Sequence, residues 1–383
     1  MIYLDHNATT PVLPEVFDSM RPFFCEQFGN ASSFYTPARA VRAVLEGARN
    51  TVASAMGATA EEIIFTASGT ESDNLALRGV SRIFQGKSCH IITSSVEHHA
   101  VLRTCDDLEA QGISITRLAV DSQGRVDPDD VRKSITPHTV LISIMNANNE
   151  TGVMQPVKII SEIARNKEIL FHTDAVQAFG KTPLDVHDLG ADLMTVSAHK
   201  IYGPKGVGAL YIRKGTKVAP LITGGEHEHG MRAGTENIPA IVGFAKAAEL
   251  ATSTLETISA RTGFLRDCFE NQVRERIDNV SINGMDAVRV PNTTSVTFHD
   301  IDGESVLLHL DLRGIYASTG SACATGSPEP SHVLCAMGLN KIDAQGTLRF
   351  SLGKGTTQDE MDSTVQALVE IVETLRDISS IHI

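Results

Sequence analysis

The sequence predicts an α/β protein: a large domain on a mostly parallel seven-stranded sheet, followed by a smaller α+β domain. Three observations carry this. Seven short apolar runs lie between residues 62 and 213, most of them separated by helical periodicity, the signature of a parallel sheet with crossover helices. Polar residues cluster directly after those runs, where such sheets place their ligands. After Gly224-Gly225 the character changes to a long helical stretch followed by a sparser mixture of strands and helices.

In chain order, the runs 62–67, 90–95, 114–120, 140–145, 170–174, 193–196 and 208–213 read as strands, and 36–56, 71–84, 99–111 and 157–167 as helices. The stretch from 239 onward through 276 reads as one long connector. Elements at 295–298, 306–312 and 348–352 and a closing helix over 359–376 complete the pattern. We expect a large domain over 15–255, and a small one formed by 1–14 and 256–383.

Composition narrows the function. With 33 basic and 46 acidic residues the net charge is −13, which argues against nucleic acid or an anionic membrane as partners through bulk charge. The 42% apolar content is enough for a sizeable core, and no run approaches the roughly 20 apolar residues that span a bilayer. The start, Met1 to His6, lacks a basic and then apolar leader. Six scattered cysteines without a CxxC pair suit free thiols in a reducing compartment, so a cytoplasmic enzyme is expected.

The polar residues at the strand ends suggest chemistry. Lys200, after a buried run and before a Gly/Pro-rich turn, is placed to form a Schiff base, although a surface lysine fits too. Asp174 ends another run with Gln177 three residues on, and can hold a pyridinium nitrogen or simply cap a turn. Ser68-Gly69-Thr70 opens a helix as a phosphate cradle or a plain N-cap. His98 can stack on an aromatic ring or move a proton, and Asn149 adds a polar amide. Each is weak alone. Their arrival in order at successive strand ends is hard to reach by coincidence.

With these residues in place the chain resembles the class V, fold-type I pyridoxal-phosphate enzymes, and within them the cysteine desulfurases of the NifS/IscS type. The resemblance covers nearly the whole chain: Tyr3 to Thr10, Phe28 to Ser33, Gly69 to Asn74, Ala147 to Gly152, Phe171 to Ala178, Ser197 to Lys200, Arg232 to Asn237 and Arg349 to Gly353. Most discriminating is Ser318-Thr319-Gly320-Ser321-Ala322-Cys323 followed by Glu329 to Leu334, similar to the long mobile active-site loop (about 318–334) of the family's first group.

The resemblance implies a role for each position. Lys200 carries pyridoxal 5'-phosphate and later acts as acid and base, Asp174 pairs with the pyridine nitrogen, and Gln177 meets the phenolic oxygen. Gly69, Thr70, Ser197 and His199 hold the phosphate, joined by Thr235 from the second subunit of a homodimer. His98 stacks on the ring and moves protons. Arg349 clamps the carboxylate of L-cysteine bidentately, with Asn149 assisting and Asn30 near the substrate entrance. Cys323 takes the sulfur as a persulfide while alanine leaves, its thiolate favoured by the site or by a base such as His98.

The implied task is sulfur supply for iron–sulfur clusters or related cofactors, through a scaffold or other acceptor protein. Cys323 then shares a cluster with that partner only transiently, and no intrinsic metal is expected: His227-Glu228-His229 offers two histidines but its spacing fixes no third ligand. Two departures stand out. Ala31 replaces a proline usual in the family, and Tyr35 stands at or near a histidine's usual place. A selenocysteine lyase, a class V aminotransferase and a non-catalytic sulfur-relay or scaffold protein are the rival readings.

Overall fold

The computed structural model describes residues 1–319 and 330–380. Its strands are β1 (Ile2–Tyr3), β2 (Ile63–Thr66), β3 (His90–Ser94), β4 (Ser114–Leu118), β5 (Thr139–Ser143), β6 (Leu170–Asp174), β7 (Leu193–Ser197), β8 (Gly208–Ile212), β9 (Val280–Ile282), β10 (Thr293–Phe298), β11 (Ile315–Tyr316) and β12 (Thr347–Ser351). All seven apolar runs of the first half enter one sheet, in the order β2-β8-β7-β6-β5-β3-β4. From β4 across to β7 every pairing is parallel. β8 reverses, pairing antiparallel with both β7 and β2. The physical reason is the connection: only residues 198–207 separate β7 from β8, too few for a crossover helix. The central strands β6 and β7 are almost wholly buried, as parallel strands covered on both faces must be.

The second half is built on the antiparallel sheet β12-β10-β9, while β1 pairs with β11. Here the chain's start returns: Leu4 is packed with Phe269, Val296, Phe350, Leu368 and Val372 in a core separate from those on the large sheet. Each such buried side chain contributes roughly 1.5–3 kcal/mol.

The single connector expected from 239 through 276 is instead two helices, Ile238–Ser253 and Leu255–Arg276. Ser253 Oγ and Thr254 Oγ1 both donate back to the Leu250 carbonyl, at 3.2 and 2.8 Å, and so compete with the backbone ladder at the break. The segment at 306–312 falls on the helix Gly303–Asp311 and its cap residue Leu312. The closing helix runs Gln358–Ser380.

Candidate active site

Beyond the carboxyl ends of β6 and β7 lies a cavity of about 380 Å³. Ten of the residues singled out in the sequence line it: Gly69, Thr70, His98, Asn149, Asp174, Gln177, Ser197, His199, Lys200 and Arg349. Asn30 does not: it is exposed, and its Oδ1 accepts from the Ser32 amide at 2.8 Å. That expectation gains no support from its position, because the turn folds the carboxamide onto its own backbone. Thr235 is also exposed and outside this lining. Cys323 lies outside the described residues.

The phosphate-cradle geometry starts from Ser68, whose Oγ accepts from the Glu71 amide at 3.1 Å and caps the helix Gly69–Ile83. The first amides of a helix have no partner within it and point outward, here toward the cavity. Bare backbone is needed for the approach. A Cβ on Gly69 would meet Val176 Cγ2 at 3.0 Å, and one on Gly208 would meet the Ser68 carbonyl carbon at 2.7 Å. Ser197 Oγ, at the end of β7, is buried with no protein hydrogen-bond partner. An orphaned hydroxyl beside free helix amides is a site waiting for an acceptor-rich group.

Asp174 closes β6, and its Oδ1 accepts from the Val176 amide at 2.9 Å. Burial pushes its carboxyl up to about 6, although the Val176 bond and the Lys200 charge pull the other way. One turn into the cradle helix sits Asp73, almost wholly buried, its Oδ1 at 3.6 Å from His172 Nε2. Burial and the neighbouring Asp174 hold Asp73 well above the ordinary carboxylate range. Two carboxyl groups sharing a buried floor favour a cationic ring nitrogen above them.

His98 caps the helix His99–Ala110, its Nδ1 accepting from the Ala100 amide at 3.1 Å. Burial, then Lys200, His99 and His332, drives the imidazole down to about 4. The ring is therefore neutral at physiological pH, and the cap places its proton on Nε2. The preceding residue, Glu97, is pushed up to about 8 by burial and accepts from the Met145 amide, tying β3 to the segment after β5.

Lys200 follows β7 after the single turn Ala198–Lys200, and Nζ donates to the carbonyls of Asn7 (2.6 Å) and Ala8 (2.8 Å). Tyr202, two residues on, has φ 69°, a left-handed strain uncommon outside glycine. Its hydroxyl accepts from the Lys354 amide and so ties the lysine turn to the segment after β12.

Arg349, inside β12, brings a guanidinium from the small sheet to the cavity lining. It donates to Asp5 Oδ1 at 2.7 Å and to the Asn149 carbonyl at 3.0 Å. Its backbone pairs with Ser318, with N to O distances of 2.6 and 3.2 Å. Both sides of residues 320–329 are thus anchored beside the cavity: Ser318 against Arg349, and Ser331 through its hydroxyl to Glu150. His332 Nε2 reaches the Glu97 carbonyl at 3.0 Å.

Four contributors are missed by sequence reasoning: Asp5, Asn7, Asp73 and Lys181. Asp73 stands four residues after Gly69, a spacing that shares one helix face and offers a usable signal. Asp5 and Asn7 lie within the Tyr3–Thr10 motif, but their partners, Arg349 and Thr293, are 344 and 286 residues away.

The donor set suits an aromatic phosphate ester with a basic ring nitrogen: helix amides and the Ser197 hydroxyl at one end, Asp174 at the other, His98 for the ring face and Lys200 for a carbonyl carbon. The family model for class-V aminotransferases matches residues 2–364. A protein named cysteine desulfurase IscS from Dictyoglomus turgidum is 51% identical over 99% of this chain and 96% of its own length. One of the same name from Methanosarcina thermophila is 50% identical over 99% and 93%. A solved structure described as a NifS-like protein superposes with a TM-score of 0.92 at 39% identity, covering 98% of this chain and all of the other. Sequence, fold and cavity thus agree, and the chain belongs to the class-V aminotransferase family.

Proposed function

We propose that the protein is a pyridoxal-phosphate-dependent cysteine desulfurase, converting L-cysteine to L-alanine and keeping the sulfur on Cys323 as a persulfide. One observation carries the reading: the Lys200 amine, the buried Asp174 carboxyl and the Arg349 guanidinium line one cavity, in a chain half identical end to end to proteins bearing that name. When bound, pyridoxal phosphate supplies an electron sink that weakens bonds at the substrate's α and β carbons.

The chain's own residues do the rest. Gly69, Thr70, Ser197 and His199 hold the phosphate, and Asp174 keeps the pyridine nitrogen protonated. Gln177 donates to the phenolic oxygen, and His98 packs on the ring and delivers a proton from Nε2. Lys200 anchors the cofactor and moves the proton at the substrate α-carbon. Arg349, pre-set by Asp5 and the Asn149 carbonyl, receives the substrate carboxylate. The Cys323 thiolate bonds to the substrate sulfur as the Cβ–S bond breaks. The bonding pair stays on the carbon side, which takes up a proton and leaves as alanine. Support for Cys323 comes from its flanks, with Ser318 and Ser331 anchored at Arg349 and Glu150 beside the cavity.

The same reading assigns residues 15–255 to the cofactor and 1–14 with 256–383 to a small domain that carries Cys323. It makes the protein a cytoplasmic homodimer that passes sulfur to a scaffold or other acceptor protein. Phe17, Phe24, Phe28, Phe34 and Tyr35 are all exposed within one short stretch, which suits burial against a second copy. Thr235, exposed and outside its own cavity, is free to serve the partner's phosphate. Among the described residues no helix is long and apolar enough to cross a membrane.

The test is the visible spectrum of the purified protein before and after L-cysteine, with alanine and persulfide assayed alongside. A yellow protein that makes both in step is expected, and Cys323→Ser should abolish both. Alanine-linked amino transfer that survives Cys323→Ser would replace the reading with an aminotransferase. A large kcat/KM preference for selenocysteine would replace it with a selenocysteine lyase, and a protein that stays colourless with added cofactor would overturn it.

A further inference from the structure

Gln177 must present its N–H edge, not its carbonyl, to a cofactor oxygen. Its Nε2 donates to the Asn7 carbonyl at 3.0 Å, an atom that only accepts. That carbonyl is contested, because Lys200 Nζ donates to it at 2.6 Å. The other end of the carboxamide is held by a different group: Oε1 accepts from Lys181 Nζ at 2.5 Å. Lys181 also donates to Asn7 Oδ1 at 3.1 Å, and the Asn7 amide is fixed in turn because its Nδ2 donates to the Asn149 carbonyl and to Thr293 Oγ1.

Lys181 does not line the main cavity. It lies behind the floor, at a small space of about 50 Å³ that it shares with Lys200 and Tyr202. Both its bonds go to neutral amide oxygens, and among the described residues no carboxylate pairs with it. The charges facing it are unfavourable: Lys200 and Arg349, with the His6 and His199 rings also nearby. Burial and those like charges press its amine well below the ordinary lysine range. An apolar side chain would fill this place at lower cost, so the amine is kept for what it donates.

We propose that Lys181 is a positioning residue: it clamps the carbonyl end of Gln177, so that the free amide hydrogen is delivered to the phenolic oxygen of pyridoxal phosphate. This rests on the cofactor reading above. With Lys181 in place, the carboxamide keeps its polarity even when Lys200 is drawn away from the Asn7 carbonyl. Without it, the amide is free to turn and set its own oxygen against the cofactor's.

The test is the pH midpoint of the bound cofactor's visible band, read by absorbance in the loaded full-length enzyme. Losing an oriented donor to the phenolic oxygen favours the protonated form, so Lys181→Met should raise the midpoint by about one pH unit. Gln177→Leu should raise it similarly, and Lys181→Met in that background should add nothing. Lys181→Arg, which keeps an N–H donor, should stay near the wild-type value. An unmoved midpoint in Lys181→Met overturns the assignment, as does an equal further shift in the Gln177→Leu background. Should Lys181→Met fail to fold, a Lys181→Arg midpoint displaced as far as Gln177→Leu overturns it instead. A wild-type protein that takes up no pyridoxal phosphate overturns the cofactor reading itself, which is a different and separately visible failure.

Discussion

Asp174, Ser197 and Lys200 form the floor of the cavity, and all come from the ends of two neighbouring strands of one sheet, β6 and β7. Arg349, at the rim, is held instead by segments from across the chain: Asp5, the Asn149 carbonyl, and the backbone of Ser318. The floor works by burial, which shifts its carboxyl groups upward and leaves His98 neutral. The rim works by directed hydrogen bonds, one to the Asp5 carboxylate and the others to backbone. A site so divided sets Asp174 and Lys200 on one sheet and Arg349 where segments from across the chain meet.

That division makes the floor the more sensitive of the two. Lys200→Ala removes the only floor amine that lines the main cavity among the described residues, and alanine formation from L-cysteine should fall by at least about 10³-fold. If more than a few per cent survives, the chemistry is not on the floor. At the rim the expected loss is smaller and of another kind. Arg349→Lys keeps a charge but loses the fork, and a hydrogen bond to a charged group is worth about 1.5–3 kcal/mol, so KM for L-cysteine should rise about 10–100-fold. The kcat should change only a few-fold. A variant that loses kcat while holding KM would mean that Arg349 acts at the reacting carbons, and the contrast between floor and rim would collapse.

The same contrast decides what is legible in the sequence. A strand end is a local feature: an apolar run stops and a polar residue follows, so Asp174, Ser197 and Lys200 stand out in the bare chain. Helix starts are nearly as local, hence Gly69, Thr70 and His98. The Arg349 clamp emerges only through resemblance, because nothing near residue 349 announces Asp5 or Asn149. Lys181 is hidden for another reason. It is four residues from Gln177 in the turn segment after β6, where a lysine ordinarily faces water, and only packing turns it inward. The break at Thr254 escapes the sequence pattern because three adjacent hydroxyl residues look like tolerable helix surface until their bonds to Leu250 and Ala248 are seen.

The smallest effect tests the electrostatics of the floor itself. In the cofactor-free chain burial raises the Asp174 carboxyl to about 6. A neutral carboxyl cannot pair with a pyridinium, so cofactor affinity should fall as pH drops through about 6, by at most about tenfold per unit. Stability runs the other way. Because the folded value lies above the unfolded one of about 3.9, the cofactor-free chain binds more protons when folded. That contribution is present at low pH and is lost as pH rises through about 6. The cofactor's own phosphate titrates near pH 6 as well, at about the same place. Asp174→Asn separates the two: it should bind more weakly throughout and keep only the shallower dependence due to the phosphate. Equilibrium binding by fluorescence between pH 5 and 8, for wild type and Asp174→Asn, reads the difference directly. Parallel pH curves for the two proteins would show that Asp174 is already ionised in the empty site, and that burial does not govern the floor.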